Sequence, residues 1–152
     1  EDWLSDCLLA IRWALQQPGV LPQMSLFGTS QGGGGSLLLA SILGEKVRCV
    51  CADLPFLTDF PVTELEGPAY SILKPAYEEM DHAQFWNRLG YIDTLSHAHR
   101  IHVPVMLSAG GLDHTCPPKT IEHLFAKLDC TKQYTHSRES MVLFSAWLHL
   151  YA

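Results

Sequence analysis

The chain has no run of 18 or more apolar residues and no basic segment followed by an apolar core. It therefore carries no signature of a membrane-spanning helix or a secretory leader, and the expected compartment is the cytoplasm. Positive charge is also scarce: 10 Lys and Arg against 16 Asp and Glu give a formal net charge of −6. That balance gives no footprint for nucleic acid or an anionic membrane, so neither is an expected partner. No C-x-x-C pair, H-E-x-x-H, G-x-G-x-x-G or Gly-Lys-Ser/Thr loop occurs, which removes the common zinc, dithiol, dinucleotide and nucleotide-phosphate signatures. Neither an internal repeat nor low-complexity sequence is found, apart from one run of four glycines.

What is present reads as one domain over residues 1–152, with 47% hydrophobic and 17% charged residues. The five cysteines (Cys7, Cys49, Cys51, Cys116 and Cys130) are odd in number and lie mostly in apolar runs. Reduced thiols packing as small hydrophobes are expected.

Trp3, Cys7, Leu8, Ile11 and Leu15 recur at helical spacing, and Gln17-Pro18-Gly19 ends the pattern. Residues 24–27 predict a buried strand, 37–43 an apolar helix beginning just after Ser30 and stopped by Gly44, and 47–53 and 103–109 two further strands. Helices are expected over 118–128 and 139–151, with a short extended piece at 132–135 between them. Near-continuous apolar strands alternating with helices indicate an α/β fold, a parallel sheet covered by helices on both faces. Residues 54–101, with Pro55, Pro61, Pro68 and Pro75, break the alternation and read as an excursion over the sheet edge. Such an excursion is a place for pocket walls, with Phe56, Phe60, Tyr70, Tyr77 and Trp86 as candidates for wall or core.

The glycine run, "GTSQGGGG" at 28–35, lies between a strand and a helix. A serine hydroxyl becomes a useful nucleophile only when a base takes its proton and N–H donors face the oxyanion that forms. In G-x-S-x-G, Gly28 and Gly32 leave room for a sharp turn that lifts Ser30 above the sheet. The Gln31 N–H, in the first turn of the helix, is the candidate oxyanion donor. The alternative is a run of glycines serving close helix packing.

The partners of such a serine are expected in the order acid, then histidine, each beyond a strand end. Asp113 follows the strand at 103–109 in a turn-rich segment, as either orienting acid or helix cap. Among eight histidines, His114 is too close in sequence to Asp113 to be oriented by it; His82, His97, His99 and His102 precede the acid, and His123 and His149 fall in helical patterns. His136 follows the short extended piece and is the candidate base, against the reading of a plain loop histidine. The spacing His97-x-His99-x-x-His102 has no companion ligands, and no metal site is assigned. Cys49 and Cys51 alternate onto one strand face as core.

Four segments together resemble the acetyl xylan esterase and cephalosporin C deacetylase family of the α/β-hydrolase fold. They are Gly28-Thr29-Ser30-Gln31-Gly32-Gly33, the stretch Ala52-Asp53-Leu54-Pro55-Phe56-Leu57-Thr58-Asp59-Phe60, Leu89-Gly90-Tyr91-Ile92-Asp93, and Gly110-Gly111-Leu112-Asp113-His114-Thr115-Cys116-Pro117-Pro118. The resemblance implies hydrolysis of small acetyl esters by Ser30, Asp113 and His136 through an acyl-enzyme, with no metal or organic cofactor, in an intracellular oligomer. It also marks two departures: a compressed segment around Tyr134-Thr135-His136-Ser137, and the absence of the usual N-terminal strands with their second oxyanion donor. An association follows as an expectation, with a second copy or a companion chain completing the sheet. Other carboxylesterase or lactonase activity, or a catalytically silent chain serving as a binding subunit, are the alternative functions.

Overall fold

The computed structural model describes residues 2–137. Helix α1 (Asp2–Ala14) leads to strand β1 (Met24–Thr29), helix α2 (Gln31–Leu43) and strand β2 (Val47–Asp53). Three short helices, α3 (Lys74–Glu79), α4 (His82–Gly90) and α5 (Thr94–His97), fill the stretch before strand β3 (Val105–Gly110). Helix α6 (Pro118–Lys127) and strand β4 (Lys132–Ser137) complete the described chain. The helix expected over 139–151 lies outside the described residues.

All four strands run parallel in the order β1-β2-β3-β4, the order of the chain. Val50 and Ala52 of β2 sit level with Val105 and Leu107 of β3, and together they face one side. There they pack with Leu37 and Ala40 of α2, Ala98 and Ile101 after α5, and Ile121 and Leu124 of α6 in the main core. A second core lies on the far side of α2, where Leu38 meets Leu57, Phe60 and Tyr70 of the excursion, backed by Trp3 and Leu4 of α1. Helix α2 is thus clamped between two layers and is apolar on all sides, as burial of this kind requires. Gly44 ends it at φ 54°, its N–H returning to the Ala40 carbonyl.

The described helices pack on one face of the sheet, and the helix expected over 139–151 lies outside the described residues. The face opposite the main core carries Phe27, Cys49, Cys51 and Met106. Alternation along a strand sends every second side chain there whatever covers it, so apolar strands alone do not tell what covers each face. All five cysteines are free thiols. No described helix is long and apolar enough to cross a membrane.

Candidate active site

Ser30 occupies the N-cap position of α2 at φ 55° and ψ −120°, a backbone region that a residue with a Cβ enters only at a cost of about 1–3 kcal/mol. A serine at an N-cap ordinarily turns its hydroxyl onto the first helical N–H groups. Here the side chain makes no capping bond. The strain is held by three backbone hydrogen bonds: Ser30 N–H to the Asp53 carbonyl at 2.9 Å, and Gly34 N–H at 3.0 Å and Phe56 N–H at 2.9 Å to the Ser30 carbonyl. Gln31 begins the helix, so its N–H has no intrahelical acceptor and stands beside the serine.

The glycines divide differently from expectation. A Cβ on Gly28 would come within 2.2 Å of the Gly32 backbone, and one on Gly34 within 2.0 Å of the Phe56 carbonyl. A Cβ on Gly32 would meet nothing within 4 Å, so the described residues place no steric demand on that position. The turn needs Gly28 for its own closure. Gly34 instead admits the segment after β2, whose Leu54, Leu57 and Asp59 all have positive φ.

That segment is tied down by buried polar groups. The Asp93 carboxylate accepts from the N–H groups of Asp59 and Phe60 at 2.8 and 3.0 Å and caps α5 through Leu95 N–H at 2.9 Å. Thr58 and Thr94 share a hydroxyl hydrogen bond of 2.7 Å. Burial pushes the Asp93 carboxyl above its usual range, against the pull of these N–H donors. Asp59 reaches α6 through a hydrogen bond of 2.6 Å between its Oδ2 and His123 Nδ1. Beneath the serine turn, the buried Asp53 accepts hydrogen bonds from Ser108 Oγ and, at 3.3 Å, from Thr29 Oγ1.

Asp113 stands just past the end of β3, nearly buried at 8% exposure. Its Oδ1 accepts from the N–H groups of Thr115 at 2.7 Å and Cys116 at 2.8 Å, folding the turn back on itself. The fold places Cys116 Sγ 3.9 Å from Ser30 Oγ, so the acid's turn reaches the serine through this residue. Burial pushes the Cys116 thiol up to about 11. A cavity of about 380 Å³ opens beside Asp113, lined in part by Thr63, Glu66, His114, Lys119 and Thr120. Of the five aromatics named as candidate walls, Phe60 and Tyr70 are core, at 1% and 0% exposure.

His136 departs from the expected loop position. It lies inside β4, level with Ala109, its ring stacked on Tyr134, which packs in turn on Phe125 of α6. Ser30 follows β1, and three strand spacings of about 4.8 Å each put ~14 Å between the two edge strands. A histidine side chain does not span that gap, and among the described residues no hydrogen bond joins His136 to Ser30 or Asp113. The structure therefore brings Ser30, Gln31 and the Asp113 turn together, and joins the strand of His136 to that turn through the Gly111 N–H, which bonds the Ser137 carbonyl at 2.7 Å. His97 of the suspected metal spacing bonds the Tyr91 carbonyl at 3.1 Å, and no group of three potential ligands gathers among the described residues.

Two residues of the site escaped sequence reasoning. Cys116 was visible only as a letter in the motif around Asp113, since its partner Ser30 is 86 residues away in the chain. Phe56 makes its contribution through a backbone N–H, which carries no sequence signal.

A parallel sheet whose leading strand turns through a strained serine into a buried helix, with a carboxylate past a later strand, defines an α/β-hydrolase-type fold. Residues 6–142 match the family model described as acetyl xylan esterase (AXE1), and the chain belongs to that family. Acetyl xylan esterase 1 from a Thermoanaerobacterium species superposes with a TM-score of 0.85 at 26% identity, over 97% of this chain and 49% of that one. The acetyl xylan esterase from a Paenibacillus species superposes with a TM-score of 0.86 at 23% identity, over 97% and 50%. A dienelactone hydrolase from Anabaena variabilis shares the fold at a TM-score of 0.58 and 22% identity, over 93% and 50%. The chain spans about half the length of these solved relatives.

Proposed function

We propose that the chain is a serine carboxylic ester hydrolase acting on small acetyl esters, such as acetylated xylo-oligosaccharides or cephalosporin-type acetates. The observation that carries this reading is Ser30 itself: a helix N-cap serine at positive φ whose hydroxyl makes no cap. Strain of this kind persists only where the surroundings enforce it, and it lifts the oxygen clear of the sheet. In the proposed reaction Ser30 Oγ attacks the acetyl carbonyl while a base takes its proton. The Gln31 N–H faces the resulting oxyanion, the alcohol leaves with that proton, and water releases acetate from the acyl-enzyme. The chemistry calls on no metal or organic cofactor, and the cavity beside Asp113 offers room for the alcohol portion.

His136 is the proposed base, oriented by Asp113. To serve, it must leave its pairing with Ala109 and its stack on Tyr134, and cross the sheet's upper edge. We also propose that a further strand, supplied by a polypeptide segment outside this sequence or by a companion chain, pairs along β1 and contributes the second oxyanion donor. The matched relatives, twice as long, motivate that proposal. The placement of His136 within β4 favours a second reading, a chain that binds esters without hydrolysing them.

A fluorophosphonate probe separates the two, because labelling requires an activated serine. Stoichiometric labelling lost in Ser30→Ala supports the hydrolase, and labelling retained in His136→Ala would remove His136 from it. Absence of labelling together with absence of p-nitrophenyl acetate turnover would leave the silent reading standing.

A further inference from the structure

We propose that Cys116 is a positioning residue for Ser30: its sulfur seats the serine side chain, and its backbone carries that seat on the Asp113 turn. This rests on the reading of Ser30 as nucleophile. The Ser30 side chain makes no cap bond, and among the described residues its hydroxyl has one hydrogen-bond contact, to Cys116 Sγ at 3.9 Å. The seat is fixed rather than fortuitous. Cys116 is 2% exposed, its N–H is bonded to Asp113 Oδ1 at 2.8 Å, and Pro117-Pro118 stiffen the chain that follows.

The choice of sulfur suits the task. A thiol is a large atom but a weak donor and acceptor, so it occupies the space beside Oγ without holding the hydroxyl proton that a base must remove. Burial keeps the thiol protonated at neutral pH, its ionisation moved up to about 11, so no thiolate competes as nucleophile or repels a carboxylate. The same residue sets spacing: any shift of the acid's turn moves the seat, and the serine with it. Nucleophile and acid, which come from the ends of different strands, are thereby held in one register.

The test uses the full chain with serine isotopically labelled for solution NMR, in wild type, Cys116→Ala and Cys116→Ser. The proposal expects Ser30 to hold one side-chain rotamer in wild type, seen as distinct Hα–Hβ couplings. Those couplings average in Cys116→Ala, and the rate of fluorophosphonate labelling falls about tenfold. Cys116→Ser, which refills most of the space, restores both to within about threefold. Averaged couplings already in wild type would overturn the seat, as would couplings or labelling unchanged in Cys116→Ala. Should wild type resist the probe while Cys116→Ala loses the rotamer, the hydrolase reading falls and the seat stands. If Cys116→Ala does not fold, Cys116→Ser decides through the couplings alone: a single Ser30 rotamer held as in wild type supports the seat, and averaged couplings overturn it.

Discussion

Single atoms decide what the serine turn tolerates. Gly34→Ala drives a methyl into the Phe56 carbonyl at 2.0 Å, backbone against backbone, so neither side yields without distorting the turn. We expect a loss of about 3 kcal/mol or more, read from urea midpoints. Gly32→Ala adds its methyl to open space inside a helix, where alanine is preferred by about 1 kcal/mol, so stability holds or rises. The buried thiol has its own signature. Its ionisation lies at about 11 in the folded chain against 9.0 when exposed, so the folded state binds the proton more tightly. The stability it contributes is complete below pH 9 and is lost as pH rises through about 11. Thermal midpoints measured over that window should fall more steeply in wild type than in Cys116→Ala.

Between elements, buried carboxylates do the fastening. Asp93 ties the segment after β2 to α5 with three N–H acceptances, and an asparagine has only one acceptor oxygen to offer them. Asp93→Asn should cost about 1–3 kcal/mol. It should also remove a pH dependence. Burial raises this carboxyl, so the folded chain binds its proton more tightly than the unfolded chain does, and stability declines as pH rises from about 3.8 through the raised value. Urea midpoints measured upward from about pH 3.8 should fall more in wild type than in the variant. This scale also shows what a sequence can carry. The turn at Ser30 was legible because Gly28, at the end of an apolar strand and just before an apolar helix, records its backbone, and Asp113 because it follows an apolar strand. His136 was read as following the strand rather than lying within it, because the extent of β4 over His136 and Ser137 is set by pairing with Ala109 and Gly110 of β3. Cys116 acts through a contact across 86 residues, which no local pattern encodes.

At the scale of the whole molecule, β1 is an edge strand among the described residues, and α1 shows Leu9 and Trp13 at 64% and 66% exposure, one helical turn apart. Faces of this kind bring chains together. The proposed association predicts a species larger than 17.0 kDa in sedimentation at micromolar concentration, reduced toward monomer by the double change Leu9→Glu and Trp13→Glu. A monomer in wild type would count against it. The alternation of strand residues was readable from sequence, but which faces are covered depends on chain beyond a strand's own letters.

The order of the sheet has a consequence for synthesis on the ribosome. Because β1, β2, β3 and β4 adjoin in the order in which they are made, each strand can dock on the one before it as it emerges, with no earlier strand awaiting a later partner from across the sheet. Growth runs in one direction, away from β1. Of these four strands, the one that carries the serine turn is made first, so the nucleophile's strand is in place before the strand that leads to Asp113 emerges.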